Sequence, residues 1–423
     1  AVDQGARHGG PLLLAHRQPR HRPRPNRFKQ LQRGQQSTCS LARLRPGLFA
    51  ADGREVAGQQ HVVFQAQVGH QVELLEDHAD LLAGIAQPLL VQRRQLLAGH
   101  EDPTAVGALQ RADVVITLGA RFDDRVTGKV DTFARRASVI HVDVDPAEIS
   151  KIRTADVPIV GDLADVVPAL SAACRAQFAA EPRADTDQWF TEVAHMRATY
   201  PTTWTDTDDG LLQPQEVITH LVARAPRDTI WVTGVGQHQM WAAHYLHFTR
   251  PRSWMTSAGA GTMGYGVPAA MGAKVGAPDR PVWLIDGDGC FQMTNQELAT
   301  ATLNEIPIKI AVINNSSLGM VRQWQTLFYG QRYSNTDLHT GAGTARVPDF
   351  VKLAEAYGAV GIRCERLEDV DDVIARANAI DDRPVVIDFI VSADAQVWPM
   401  VAAGVSNDEI QHARGMSPAW EEE

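Results

Sequence analysis

A chain of 423 residues with 44% hydrophobic residues is long enough for two or three domains and can fill sizeable cores. Its net charge of −10 at pH 7 is the wrong sign for a nucleic-acid binder, because neutralising a phosphate backbone takes a basic surface. No run approaches the ~20 uninterrupted apolar residues of a membrane span, and the first residues lack the basic, apolar and small-residue succession of an export signal. The four cysteines, Cys39, Cys174, Cys290 and Cys364, are spaced for neither a disulfide framework nor a zinc site; a reducing cytoplasm is the setting that suits them.

Composition changes sharply near residue 100. Residues 1–100 are rich in Arg, Gln and His, with Lys29 the only lysine. Pieces such as Arg17 to Arg27 have no apolar period and read as solvated or disordered. The apolar clusters between Val62 and Leu97 are interrupted by Gly69, Gly84 and Pro88 without matching caps, so no fold follows from them. From Val106 onward the pattern is regular. Val114 to Leu118 and Val139 to Val142 are short runs rich in β-branched residues, the first closed by Gly119 and the second by Asp145-Pro146, and both read as buried parallel strands. Leu163 to Phe178 has helical spacing. Residues 179–213, polar with several Pro and Asp, read as a linker.

A second domain is expected from Pro214. Helices are predicted at Pro214 to Ala225, Pro348 to Tyr357 and Leu367 to Ile380, with strands at Thr229 to Val232, Val282 to Ile285, Ile308 to Ile313 and Val385 to Ile390. Strand and helix alternation of this kind defines an α/β fold, parallel sheets with helices on both faces. Such sheets bind ligands beyond the carboxyl ends of their strands.

Two of those ends carry chemistry. Val282 to Ile285 runs into Asp286-Gly287-Asp288-Gly289-Cys290, where glycines on either side of Asp288 let the backbone turn tightly and approach a ligand. Thr294-x-x-Glu297 reads as a capping box for the helix that follows, and amides near a helix start favour a phosphate group. The next strand ends in Asn314-Asn315-Ser316-Ser317, which offers amide and carbonyl oxygens. One carboxylate plus neutral oxygens is what Mg²⁺ prefers, since it fills the rest of its octahedron with water and phosphate oxygens. Either segment alone is an ordinary turn; at neighbouring strand ends they form a clamp for a diphosphate.

Gly287-Asp288-Gly289 followed by Asn314-Asn315 resembles the diphosphate-binding motif of thiamine-diphosphate enzymes. Around it, GVGQHQMWAA (Gly234 to Ala243), GAGTMGYGVPAAMGA (Gly259 to Ala273), GDGCFQMTNQELAT (Gly287 to Thr300) and GMVRQWQ (Gly319 to Gln325) are similar to the large, catalytic subunit of the acetolactate synthase family. The similarity covers roughly residues 107 to 418. It implies a C-terminal domain, residues 214–423, with Asp288, Asn315 and Ser317 as Mg²⁺ ligands. Thiamine diphosphate would be held by Gln237, His238, Gly261, Met263, Gly287, Gly289 and Cys290, with Met263 wedged under its two rings. Met320 and Trp324 would shape the pocket for the second 2-keto acid. On chemistry alone His238 is equally a packed polar residue, and Met263 and Trp324 are ordinary core side chains.

LGARFDDRVTG (Leu118 to Gly128), HVDVDPAEI (His141 to Ile149) and VGD (Val160 to Asp162) resemble part of the family's central FAD domain, here residues 101–178. Arg121 would meet the FAD diphosphate, and Asp143 and Asp162 its ribose and adenine. The resemblance implies a transferase of branched-chain amino-acid biosynthesis that decarboxylates pyruvate and ligates the two-carbon unit to pyruvate or 2-ketobutyrate. It also implies a homodimer or tetramer and a regulatory small subunit. Glyoxylate carboligase and pyruvate oxidase share the two motifs, but GMVRQW with Trp324 favours acetolactate synthase. The family's activating glutamate lies on a pyrimidine-binding domain with no counterpart in this sequence, which favours, as the alternative to an active synthase, a non-catalytic family member able at most to bind Mg²⁺-diphosphate weakly or to associate with an intact subunit. Residues 1–100 carry the bias of a GC-rich gene read in a wrong frame or from the opposite strand, or are a genuine but unrelated extension.

Overall fold

The computed structural model describes residues 62–66, 103–180, 186–247, 250–338 and 348–412, with 416 and 418. The readings of residues 1–100 as disordered, misread or an extension therefore lie outside the described residues, apart from one strand. That strand, β1 (Val62–Ala66), pairs in parallel with β2 (Val114–Leu118).

The first sheet has the order β1-β2-β3-β4, where β3 is Ser138–Asp143 and β4 is Val157–Val160. Around it lie α1 (Pro103–Arg111), the single turn α2 (Asp124–Thr127) and α3 (Leu163–Ala180). All its pairings are parallel. β2 is buried at every position, as a continuous apolar run covered on both faces must be. One face packs Val115 and Val139 against Phe122, Phe133 and Leu109; the other packs Ile116 and Val142 against Leu163 and Val167.

The linker expected at 179–213 is in part a docked helix, α4 (Asp187–Thr199). Its Trp189, Val193 and Met196 are buried in the same cluster as Val115 and Val139. Their spacing of three and four puts them on one helical face, a pattern masked by the surrounding Asp, Pro and Thr.

The second sheet is six-stranded, in the order β6-β5-β7-β8-β10-β9, again wholly parallel. Its strands are β5 (Ile230–Thr233), β6 (Trp254–Thr256), β7 (Val282–Gly287), β8 (Lys309–Asn314), β9 (Val360–Cys364) and β10 (Val385–Ile390). Alternate residues go to opposite faces. Trp231, Trp283, Ile285, Ile313 and Ile387 meet α5 (Pro214–Arg224), α6 (Gln237–Tyr245) and α12 (Leu367–Asn378) on one side. On the other, Val232, Leu284, Ile310 and Val312 meet α7 (Gly266–Gly276), α9 (Glu297–Leu303) and α11 (Phe350–Ala356), with Phe291 and Phe350 edge to face at 5.6 Å. The edge strands β6 and β9 are short or only half-buried, which is why their text carried no strand signal.

Two local expectations are corrected. The ladder of β7 continues past Ile285, with Asp286 paired to Val312 and Gly287 to Ile313, so the acidic segment begins inside the strand. The single turn α8 (Asp288–Phe291) starts directly after it, with Gly287 at its N-cap. The capping box at Thr294 does not form: Thr294 Oγ1 donates to the Gly264 carbonyl at 2.9 Å, and Glu297 accepts from Thr300 Oγ1 instead. α9 then begins without a side-chain cap.

Candidate functional site

The carboxyl ends of β5, β7 and β8 converge on a pocket of about 110 Å³. Its wall includes Gln237, His238, Met263, Asp288, Asn315 and Ser317, together with Gly287, Gly289, Cys290 and Met320. The residues from 237 to 324 predicted for thiamine diphosphate, metal and substrate are thus brought together, with two exceptions. Gly261 lies outside that wall in an exposed loop at φ +63°, and Trp324 is 39% exposed, on α10 (Gly319–Phe328), and does not line the pocket.

Close approach of backbone explains the glycines. A Cβ on Gly287 would sit 2.8 Å from His238 Nδ1, and one on Gly289 would sit 2.8 Å from Leu318 Cδ2. Gly319 is tighter still, since its Cβ would fall 1.9 Å from Gln237 Oε1. These positions admit no side chain without moving a pocket residue.

Asp288 is buried, and its Oδ2 has no hydrogen-bond partner. Burial pushes its carboxyl up to about 7, and the nearby charge of Asp388 adds to the push. A carboxylate held this way is poised for a cation, whose charge reverses the penalty. Asn315 Oδ1 accepts Ser317 N at 3.1 Å, which occupies one of its two lone pairs and leaves the other. Ser317 Oγ donates to the Thr336 carbonyl at 3.1 Å and keeps its own lone pairs. One carboxylate and neutral oxygens around a water-accessible pocket fit a hard divalent cation.

Several partners in this site were not legible beforehand. Asp286 is fully buried, and its Oδ1 lies 3.4 Å from His238 Nε2. Gly234 and Gly266 leave room for it: a Cβ on either would come within 1.8 and 2.7 Å of its carboxylate. Cys290 contributes its sulfur as well as its amide. Sγ accepts from Val235 N at 3.4 Å and Gly264 N at 3.2 Å, tying the turn before α6 to the loop that carries Met263. Burial pushes that thiol up to about 12, so it stays protonated and serves packing. The donor atoms of His238, Asp286 and Cys290 lie within 4.8 Å of one another. Gln323 braces Gln237, which reaches Asn315, and Asp388 braces Asn314, both through hydrogen bonds that cross the fold.

The FAD candidates stand at the carboxyl edge of the first sheet. Arg121 follows β2, is exposed and pairs with Asp123 at 3.2 Å. Asp143 closes β3 and accepts from Asp145 N, while Asp162 follows β4 and accepts from Ala164 N. Three neighbouring strand ends therefore carry them, the edge where open parallel sheets take nucleotides. Among the described residues no helix is long and apolar enough to cross a membrane.

A parallel sheet with a buried carboxylate, one of whose oxygens has no hydrogen-bond partner, and adjoining asparagine turns at neighbouring strand ends defines a polar pocket at the carboxyl edge of an α/β domain. Residues 234–389 match the model of the thiamine pyrophosphate enzyme C-terminal TPP-binding domain, and residues 92–170 match that of the thiamine pyrophosphate enzyme central domain. The chain belongs to this enzyme family. Proteins named acetolactate synthase are among its relatives. The chain is 59% identical to the acetolactate synthase of Mycobacterium bovis over 323 residues, 76% of this chain and 52% of that protein. It is 55% identical to the acetolactate synthase large subunit of Corynebacterium glutamicum over 322 residues, 76% of this chain and 51% of the relative. With the isozyme 2 large subunit of Escherichia coli the identity is 42% over 316 residues, 74% and 54% of the two chains. The chain thus spans about half the length of the curated relatives it matches.

Proposed function

We propose that this chain holds thiamine diphosphate through Mg²⁺ and acts as an acetolactate synthase. The reaction would decarboxylate pyruvate and ligate the two-carbon unit to a second pyruvate or to 2-ketobutyrate, releasing CO₂ and taking up one proton. The observation that carries this reading is the buried, partnerless Oδ2 of Asp288 in one pocket with Asn315 and Ser317.

Each residue has a chemical task. Asp288, the free lone pair of Asn315 Oδ1 and an oxygen of Ser317 would hold the cation. Gln237, His238 and the amides of Gly289 and Cys290 would face the diphosphate oxygens, as donors at a turn start do. Met263 gives the pocket an apolar wall close to Gly289. Met320 would border the acceptor keto acid, and Trp324, further along exposed α10, would do so only from the pocket mouth. When bound, thiamine diphosphate supplies the carbanion and the electron sink.

Arg121, Asp143 and Asp162 would bind FAD on the central domain, residues 101–178, and residues 214–423 form the thiamine-diphosphate domain. A cytoplasmic enzyme of branched-chain amino-acid biosynthesis, a homodimer or tetramer and a regulatory small subunit go with the same reading. The test is to give the purified 423-residue chain Mg²⁺, thiamine diphosphate, FAD and pyruvate, and to measure acetolactate. Turnover supports the whole proposal. Binding of Mg²⁺ and thiamine diphosphate without product keeps the site assignment and rejects the activity for this chain; no binding rejects both.

A further inference from the structure

We propose that Asp388 is a positioning residue for the metal-binding turn: by accepting from the Asn314 amide it dictates which end of that amide faces Ser316, and so holds Asn315 and Ser317 in place. The inference rests on reading Asp288, Asn315 and Ser317 as the cation's ligands.

The argument is one of donor and acceptor direction. Asp388, on β10, is 1% exposed. Arg363, from the neighbouring strand β9, gives Nε and Nη2 to Asp388 Oδ2 at 3.3 and 3.2 Å. A carboxylate held by a guanidinium is an acceptor only. Its other oxygen therefore demands a donor, and Asn314 Nδ2 supplies one at 2.8 Å. With its NH₂ end committed, Asn314 must turn its carbonyl the other way. Oδ1 accepts from Ser316 N at 3.1 Å and Ser316 Oγ at 3.3 Å. This closes a side-chain turn over Asn315 and pins Ser316 at φ +51°, a left-handed conformation that serine seldom takes. Asn315 repeats the device one residue on, its Oδ1 accepting from Ser317 N. Arg363 continues outward to Asp349, the N-cap of α11, at 3.1 Å. A hydrogen-bonded line thus runs from the surface to the turn that would carry two of the three ligands.

Changing Asp388→Asn reverses the polarity of this line while keeping its shape. Arg363 would claim the new amide's carbonyl, and its NH₂ would then face the NH₂ of Asn314. To pair, Asn314 would have to flip and point its own NH₂ at Ser316 N, donor against donor. The turn would lose its closure. Changing Asn314→Asp in the same chain restores it, because a carboxylate at that position accepts both from the amide introduced at position 388 and from Ser316.

The experiment measures Mn²⁺ binding to the full chain by paramagnetic resonance in saturating thiamine diphosphate, with melting temperature recorded for every variant. D388N is expected to weaken Mn²⁺ about 10- to 100-fold, the loss typical when a hydrogen-bond partner of a ligand shell is removed. N314D alone, which sets two carboxylates face to face, is expected to weaken it also. The N314D/D388N double variant is expected to recover wild-type affinity, which a merely structural role would not predict. Wild-type affinity in D388N, or a folded double variant that binds no better than either single, overturns the proposal. If D388N does not fold, the double variant decides by itself. Failure of the wild-type chain to bind Mn²⁺ at all would instead reject the ligand assignment on which the proposal stands.

Discussion

Gln237 and Gln323 meet as two buried amides, Nε2 of the first donating to Oε1 of the second at 2.8 Å. The same Oε1 accepts Val397 N at 2.9 Å, and Gln323 Nε2 returns to the Val397 carbonyl at 3.0 Å. Both lone pairs of Gln323 Oε1 are therefore used, and Gln237 Oε1 is left turned toward Asn315 Nδ2 at 3.4 Å. Changing Gln323→Glu removes a donor and opposes a carboxylate to the Val397 carbonyl. The expected cost is about 1–3 kcal/mol of stability, with weaker thiamine-diphosphate binding. Chemical denaturation and calorimetric titration check the two effects; an unchanged titration would separate Gln323 from the pocket.

Asp288→Asn should move stability and binding in opposite directions. Burial penalises the charged form of Asp288 by more than its backbone hydrogen bonds return, and Oδ2 has no partner, so the neutral variant is expected to melt higher than the wild type without ligand. The wild type should gain about 2.7 kcal/mol when Mg²⁺ and thiamine diphosphate reach a hundredfold excess over their dissociation constant. The variant should gain nothing. Melting curves with and without the pair would show it, and an equal gain in both proteins would remove Asp288 from the ligand set.

Trp189 gives a measure of whether α4 is docked. Its side chain is 2% exposed among Val115, Val139 and Phe133. Trp189→Ala is expected to cost about 3–5 kcal/mol, the usual result of emptying an aromatic site in a core. A free linker would tolerate the change with no shift in the denaturation midpoint.

Acid stability should depend on Asp371, which ties α12 to α5. Hydrogen bonds from Arg224 and from His220 hold its carboxyl down at about 2. A depressed carboxylate contributes stability above its unfolded value of about 3.9, and the contribution is lost as pH falls through the folded value. Asp371→Asn should therefore flatten the decline in melting temperature between about pH 4 and pH 2. Parallel curves for the two proteins across that window would show that the pair is silent.

Much of the second domain was legible because its strands announce themselves locally. β7, β8 and β10 each carry an apolar stretch, Val282 to Ile285, Ile310 to Ile313 and Val385 to Ile387, and a strand covered on both faces needs no partner to be recognised. The glycines around Asp288 and the doubled asparagines are equally local, since a turn is made by adjacent residues. From these alone the sequence determined a parallel α/β chain and the two loops of the pocket, while Gln237, His238, Met263 and Met320 came only from the family resemblance. Tertiary structure decided what orients them. Gln323 serves Gln237 from 86 positions away, and Asp388 serves Asn314 from 74. No periodicity encodes such pairings, because each depends on strands β8 and β10 lying side by side and on where α10 returns. The same holds for α4, whose apolar face became visible only against the sheet that buries it, and for Trp324, which its helix leaves outside the pocket wall.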